Sequence, residues 1–264
     1  MVRSQATYSP SGKRIAFFQK PVFARATMVV QDLETGRIQT FPLTIQNPER
    51  PVWRPDERAI AVNAAAQEDA GGERVYLLDL TSGEVAQVTD GGVQIAFSPD
   101  GKYLYYPRQA TVVRREIATG SESVIHRGPG AGRALVISPD GRWLATFLSG
   151  TIVLVPTEQG DVRELLKAAP GAGRFMNPMG WSRDGRHLFI TVLQAGDVWK
   201  ETIWRLSVDT GEVMDTGISI GKAKINRISH GAGGELAVSV SRGEFELWAE
   251  SLSSLLSRAE GKAR

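Results

Sequence analysis

The sequence predicts an all-β fold, a six-bladed β-propeller of four-stranded antiparallel blades, on three observations. One turn motif recurs six times, a second turn falls about halfway between its copies, and the intervening residues have the length and alternation of short strands. Tyr8-Ser9-Pro10-Ser11-Gly12-Lys13 returns as Phe97-Ser98-Pro99-Asp100-Gly101-Lys102 and as Ile137-Ser138-Pro139-Asp140-Gly141-Arg142. Looser copies are Trp53-Arg54-Pro55-Asp56-Glu57-Arg58, Trp181-Ser182-Arg183-Asp184-Gly185-Arg186 and Ile228-Ser229-His230-Gly231. With the Ser or its equivalent as marker, positions 9, 54, 98, 138, 182 and 229 are spaced by 45, 44, 40, 44 and 47 residues. That is close to the ~40 to 45 residues of a four-stranded propeller blade.

Each element of the unit has its own chemistry. The apolar residue before Ser ends an inner strand. Pro pre-sets φ, Asp suits the next position and Gly takes the positive φ that follows, which makes a tight hairpin. A second strand then begins with β-branched and aromatic residues. The halfway mark, Leu33-Glu34-Thr35-Gly36 in the first unit and Val208-Asp209-Thr210-Gly211 in the fifth, is the outer hairpin between strands three and four.

Taken in order, the blades are expected near 1–46, 47–92, 93–130, 131–173, 174–221 and 222–252, with 253–264 as a C-terminal tail. Departures fall at the ends of the array. Blade one has Ser11 for Asp, blade two has Glu57 for Gly, and blade six has lost the turn and an obvious fourth strand, so an incomplete last blade is expected. A β-sandwich lacks such a period, and a βαβ fold needs helical patterns between strands, for which only the end of the chain offers a candidate.

Composition narrows the function classes. Hydrophobic residues make up 42% and charged residues 23% of the 264, and 28 Gly and 13 Pro are spread along the chain. This is a turn-rich globular protein. A net charge of +2 gives no field that would imply nucleic acid, and no apolar run approaches the ~20 residues of a membrane helix. With no Cys, disulfides, thiolate nucleophiles and Cys-based zinc sites are excluded, and the cytosol and a periplasm-like compartment fit alike. The start, Met1-Val2-Arg3-Ser4-Gln5, has no apolar signal core and runs straight into the first repeat, as expected of a domain cut from a longer chain or a mature form.

The motif Ser-Pro-Asp-Gly-Lys/Arg with an apolar strand behind it and a later Thr-Gly-Glu resembles the PD40, or WD40-like, repeat of bacterial TolB-like propellers. The resemblance covers nearly the whole chain. It implies a scaffold used for protein binding, with an extracytoplasmic, periplasmic setting ahead of a cytoplasmic one. Propellers of this kind also serve as sensor halves of kinases and regulators and beside serine peptidases, so the resemblance specifies fold more than function.

The residues that carry chemistry elsewhere have structural readings here. Gly180-Trp181-Ser182-Arg183-Asp184-Gly185 has the wrong spacing for a nucleophile elbow, and Ser182 fills the Ser slot of the repeat. His126, His187 and His230 stand at no metal-ligand spacing. Asp56, Asp100, Asp140 and Asp184 belong to their own turns, and Trp53, Phe97 and Trp181 are expected to pack between blades. Pro129 to Arg133 and Pro170 to Arg174 are Gly-rich, but no helix follows either to make a phosphate cradle. No catalytic residue, metal or cofactor is therefore assigned.

What these loops share is position, since both lead into an inner strand. Arg133 stands five residues before Ser138 and Lys224 five before Ser229, while Arg50 precedes Arg54 by four. A propeller would gather Arg50, Arg133, Arg174, Lys224 and Arg227 around one mouth. The longer connections, Asn63 to Glu73 and Gln194 to Thr202, add a contact ledge with Phe23 and Trp199. The expectation is a non-catalytic module that binds a protein or peptide partner, acidic in character, at this mouth. A hydrolase or lyase with its site in the channel, and a purely structural domain of a larger kinase or regulator, are the alternatives.

Overall fold

The computed structural model describes residues 2–20, 25–65, 73–92, 94–128, 134–148, 150–167, 174–193, 201–219, 224–230, 235–241 and 247–251. Blade one is β1 (Val2–Tyr8), β2 (Arg14–Lys20), β3 (Thr27–Asp32) and β4 (Ile38–Pro42). Blade two is β5 (Gln46–Trp53), β6 (Ala59–Ala65), β7 (Glu73–Asp79) and β8 (Val85–Gln87), and blade three is β9 (Ala96–Phe97), β10 (Tyr103–Arg108), β11 (Thr111–Glu116) and β12 (Glu122–Arg127). Blade four follows with β13 (Leu135–Ile137), β14 (Trp143–Leu148), β15 (Thr151–Pro156) and β16 (Arg163–Lys167), and blade five with β17 (Arg174–Trp181), β18 (His187–Leu193), β19 (Glu201–Ser207) and β20 (Val213–Ser219). The last repeat gives β21 (Lys224–His230), β22 (Glu235–Ser241) and β23 (Leu247–Ser251).

Every sheet is an antiparallel meander in chain order, inner strand first. The expected six four-stranded blades become five, because the last repeat forms a sheet of three strands among the described residues. It is the repeat whose turn motif is lost, Ile228-Ser229-His230-Gly231 standing where the other blades have the full turn. The expected tail, 253–264, lies outside the described residues.

The turn motif repeats because each of its atoms is used. In blade three the Gly101 N–H donates to Ser98 O (2.8 Å), the Tyr103 N–H donates to Ser98 Oγ (2.8 Å), and Ser98 Oγ donates to Asp100. The Lys102 N–H closes the set on Asp100 Oδ1 at 2.9 Å. Blades four and five repeat the arrangement with Ser138 and Asp140 and with Ser182 and Asp184. Adjacent turns also seat on each other, since a Cβ at Gly141 (φ 74°) would lie 2.9 Å from Pro99 Cδ of the preceding blade.

Burial follows the interfaces between blades. One apolar cluster joins Phe18 and Met28 of blade one to Trp53 and Ile60 of blade two, and others join blades two and three, three and four, four and five, and blade five with the last sheet. The ring closes where β21 and β22 pack against β1 and the Tyr8 N–H donates to Ser229 Oγ at 3.2 Å. As expected from their shared slot, Trp53, Phe97 and Trp181 are buried between blades.

Candidate partner-binding mouth

The meander sets the two ends of the ring. Hairpins between strands one and two and between strands three and four open on one end, and the blade-to-blade and strand-two-to-three connections open on the other. The second end is the mouth. Arg174 opens β17 and Lys224 opens β21 there, and these two inner strands pack against each other. Arg127 closes β12 and Lys167 closes β16 at the same end.

The acids follow a different rule. Turns recruit Asp because its carboxylate caps several turn amides at once. Asp32 Oδ1 accepts from the N–H groups of Thr35 (2.7 Å) and Glu34 (3.1 Å), and Asp79 Oδ1 does the same with Ser82 and Thr81, both at 2.8 Å. The Thr35 N–H holds the Asp32 carboxyl below the usual carboxylate range, and the Ser98 and Ser182 hydroxyls do so for Asp100 and Asp184. All these acids stand at the turn end. Turn chemistry thus accounts for these acids, which share their hairpins with cations such as Lys102 and Arg186, while Arg127, Lys167, Arg174 and Lys224 stand at strand ends on the mouth.

The expected site residues divide accordingly. Arg50 lies in β5 with φ of 54°, and its N–H donates to Gln5 Oε1 of blade one. Its guanidinium is 3.6 Å from Glu73 and 4.0 Å from Glu49, so its charge is shared with two carboxylates. Burial raises the Glu73 carboxyl above the ordinary range, against the pull of Arg50. Arg227 lies in β21 beyond a register shift, opposite Ser239. Arg133, Phe23 and Trp199 lie outside the described residues.

One functional candidate escaped the sequence reading. Glu201 opens β19, is 8% exposed, and its Oε2 accepts the Ile225 N–H of the last sheet at 2.7 Å. It pairs with Leu193, which pairs in turn with Arg174, so the carboxylate lies on the rung of one cation and bonds the residue next to the other. Only an alignment of the third strands hints at it, since Glu73 and Glu201 open equivalent strands in blades two and five.

The three histidines fall in three different sheets, on β12, β18 and β21, and burial lowers the His126 pKa. Among the described residues no group of three or more His, Cys, Asp or Glu could hold a metal ion. Ser182 Oγ is engaged within its turn, donating to Asp184 and accepting the His187 N–H.

A mouth framed by strand ends, on a ring of antiparallel meanders, defines a β-propeller. No protein family and no curated protein matches the chain, whereas solved structures do. TolB from Acinetobacter baumannii superposes with a TM-score of 0.69 at 18% identity over 89% of this chain and 65% of that one. This chain therefore spans less than two thirds of that protein. The putative TolB from Agrobacterium tumefaciens gives 0.66 at 19% identity, covering 83% and 82%, and an oligogalacturonate lyase from Vibrio parahaemolyticus gives 0.63 at 15%, covering 95% and 74%. At these identities the likeness is one of fold, and in fold the chain is a TolB-like propeller.

Proposed function

We propose that this chain is a non-catalytic binding module, a propeller that takes an acidic protein or peptide partner at its mouth. The observation that carries this reading is that Arg174 and Lys224 open neighbouring inner strands that pack against each other, at the end of the ring to which the blade-to-blade connections lead. Like charge around a low-dielectric funnel raises the local potential, which acts mainly on the rate of association and is screened by salt. Such a site needs no nucleophile, metal or cofactor.

The test uses a synthetic Glu-Gly repeat peptide as probe. Reversing both charges, Arg174→Glu with Lys224→Glu, should slow its association about tenfold or more at low salt, with the unfolding midpoint held within the ~0.5 kcal/mol usual for surface changes. Binding that survives the reversal and ignores salt would remove the basic mouth from the account.

A further inference from the structure

Glu201 is the least expected polar residue of the molecule. A carboxylate taken out of water is costly unless hydrogen bonds and nearby cations compensate it. Here the described bond is to the Ile225 N–H, in the neighbouring sheet, and it is of the short charge-assisted kind at 2.7 Å. The ladder it touches is irregular. β21 pairs through Lys224 and Ile225 with Ser241 and Val240, then slips before Arg227, so the first rungs of the strand are set apart from the rest. Ile225 itself is buried with Phe189, Ile203 and Ile218 of blade five.

We propose that Glu201 is the positioning residue of the mouth: its carboxylate holds the start of β21 against blade five and so fixes the place of Lys224 on the rim. The inference rests on the reading of the mouth as a binding site for an acidic partner, and it adds what orders that site. If Glu201 acted only through its charge, any neutral replacement would remove a repulsion and tighten an acidic ligand. A positioning role predicts opposite signs for two neutral replacements, because a carboxamide oxygen can still accept the Ile225 N–H and a methyl group cannot.

Two measurements on the full chain decide it. Without ligand, Glu201→Ala should speed exchange of the Ile225 amide about tenfold or more, with the Ile228 and Val238 amides unchanged, while Glu201→Gln retains its protection. With the Glu-Gly repeat peptide, Glu201→Ala should bind roughly threefold or more weakly and Glu201→Gln at least as tightly as the unaltered protein. Faster exchange throughout β21 and β22 in Glu201→Ala would reduce Glu201 to a stabiliser of the sheet. Equal or tighter peptide binding by Glu201→Ala would refute the positioning role. If the unaltered protein does not bind the peptide, the acidic-partner reading falls, and the Ile225 exchange alone then judges whether Glu201 holds the strand.

Discussion

At the scale of single residues, the tryptophans show how a repeat locks onto its neighbour. Trp181 is 6% exposed and its Nε1–H donates to Val136 O of blade four at 3.1 Å, as Trp53 Nε1–H donates to Thr7 O of blade one at 3.2 Å. The acceptors occupy equivalent positions, two residues before the Ser of the preceding turn. Trp181→Ala removes a large buried side chain and leaves a carbonyl without its donor, so it should cost ~3 to 5 kcal/mol in denaturant unfolding. A loss under about 1 kcal/mol, the size of a surface change, would contradict the placement of Trp181 between blades. This much was legible, because a large aromatic in a fixed slot of a repeat has one packing role. The contact of Arg50 with Glu73 was not legible, because it depends on β5 and β7 flanking β6 in one sheet.

At the scale of elements, the departing turns of blades one and two turn out to be complementary. Glu57 stands where blades three to five have Gly, and it adopts φ of 58°. Its Oε1 accepts the Ser11 N–H at 2.6 Å, and its Oε2 accepts from Arg14 Nη2 at 2.7 Å and from Nε at 3.1 Å. Arg14 also lies 4.9 Å from the centroid of the Trp53 ring. Blades one and two are thus clamped by the residues that break the pattern. A periodic reading registers such residues as losses, because it compares each with its own slot and not with a side chain some 45 positions away. Glu201 was missed for the same reason, whereas the turn glycines and the serine-aspartate caps act locally and could be read directly. Burial works to raise the Glu57 carboxyl, and the bonds from Arg14 and Ser11 outweigh it, leaving it below the ordinary glutamate range. A depressed folded-state pKa stabilises above the unfolded value and is lost as pH falls through the folded one. The stability gap between the unaltered protein and Glu57→Gln should therefore be widest near neutrality and close as pH falls from about 5 towards 3. A gap that does not change over that range would show that the clamp works without its charge.

At the scale of the whole molecule, topology gathers residues that are far apart in sequence. The net charge of +2 carried no information about partners, but the ring brings cations from four strands to one end. Turn-forming Asp residues collect at the hairpin end and hold amides there, and Arg127, Lys167, Arg174 and Lys224 stand at strand ends on the mouth. The six-fold period was plain in the sequence. The last sheet, of three strands among the described residues, was foreshadowed by the lost turn motif and the lack of an obvious fourth strand, whereas its closure on blade one joins Tyr8 to Ser229 across 221 positions. The central claim is that the mouth, and not the hairpin end, receives an acidic partner. Its most direct test is a hydrogen-exchange footprint of the Glu-Gly repeat peptide on the intact protein at low salt. Slowed exchange should appear at the start of β17 and β21 and the close of β12 and β16, and fade as salt is added. Protection centred instead on the Ser98 and Ser138 turns, or unchanged by salt, would contradict the account.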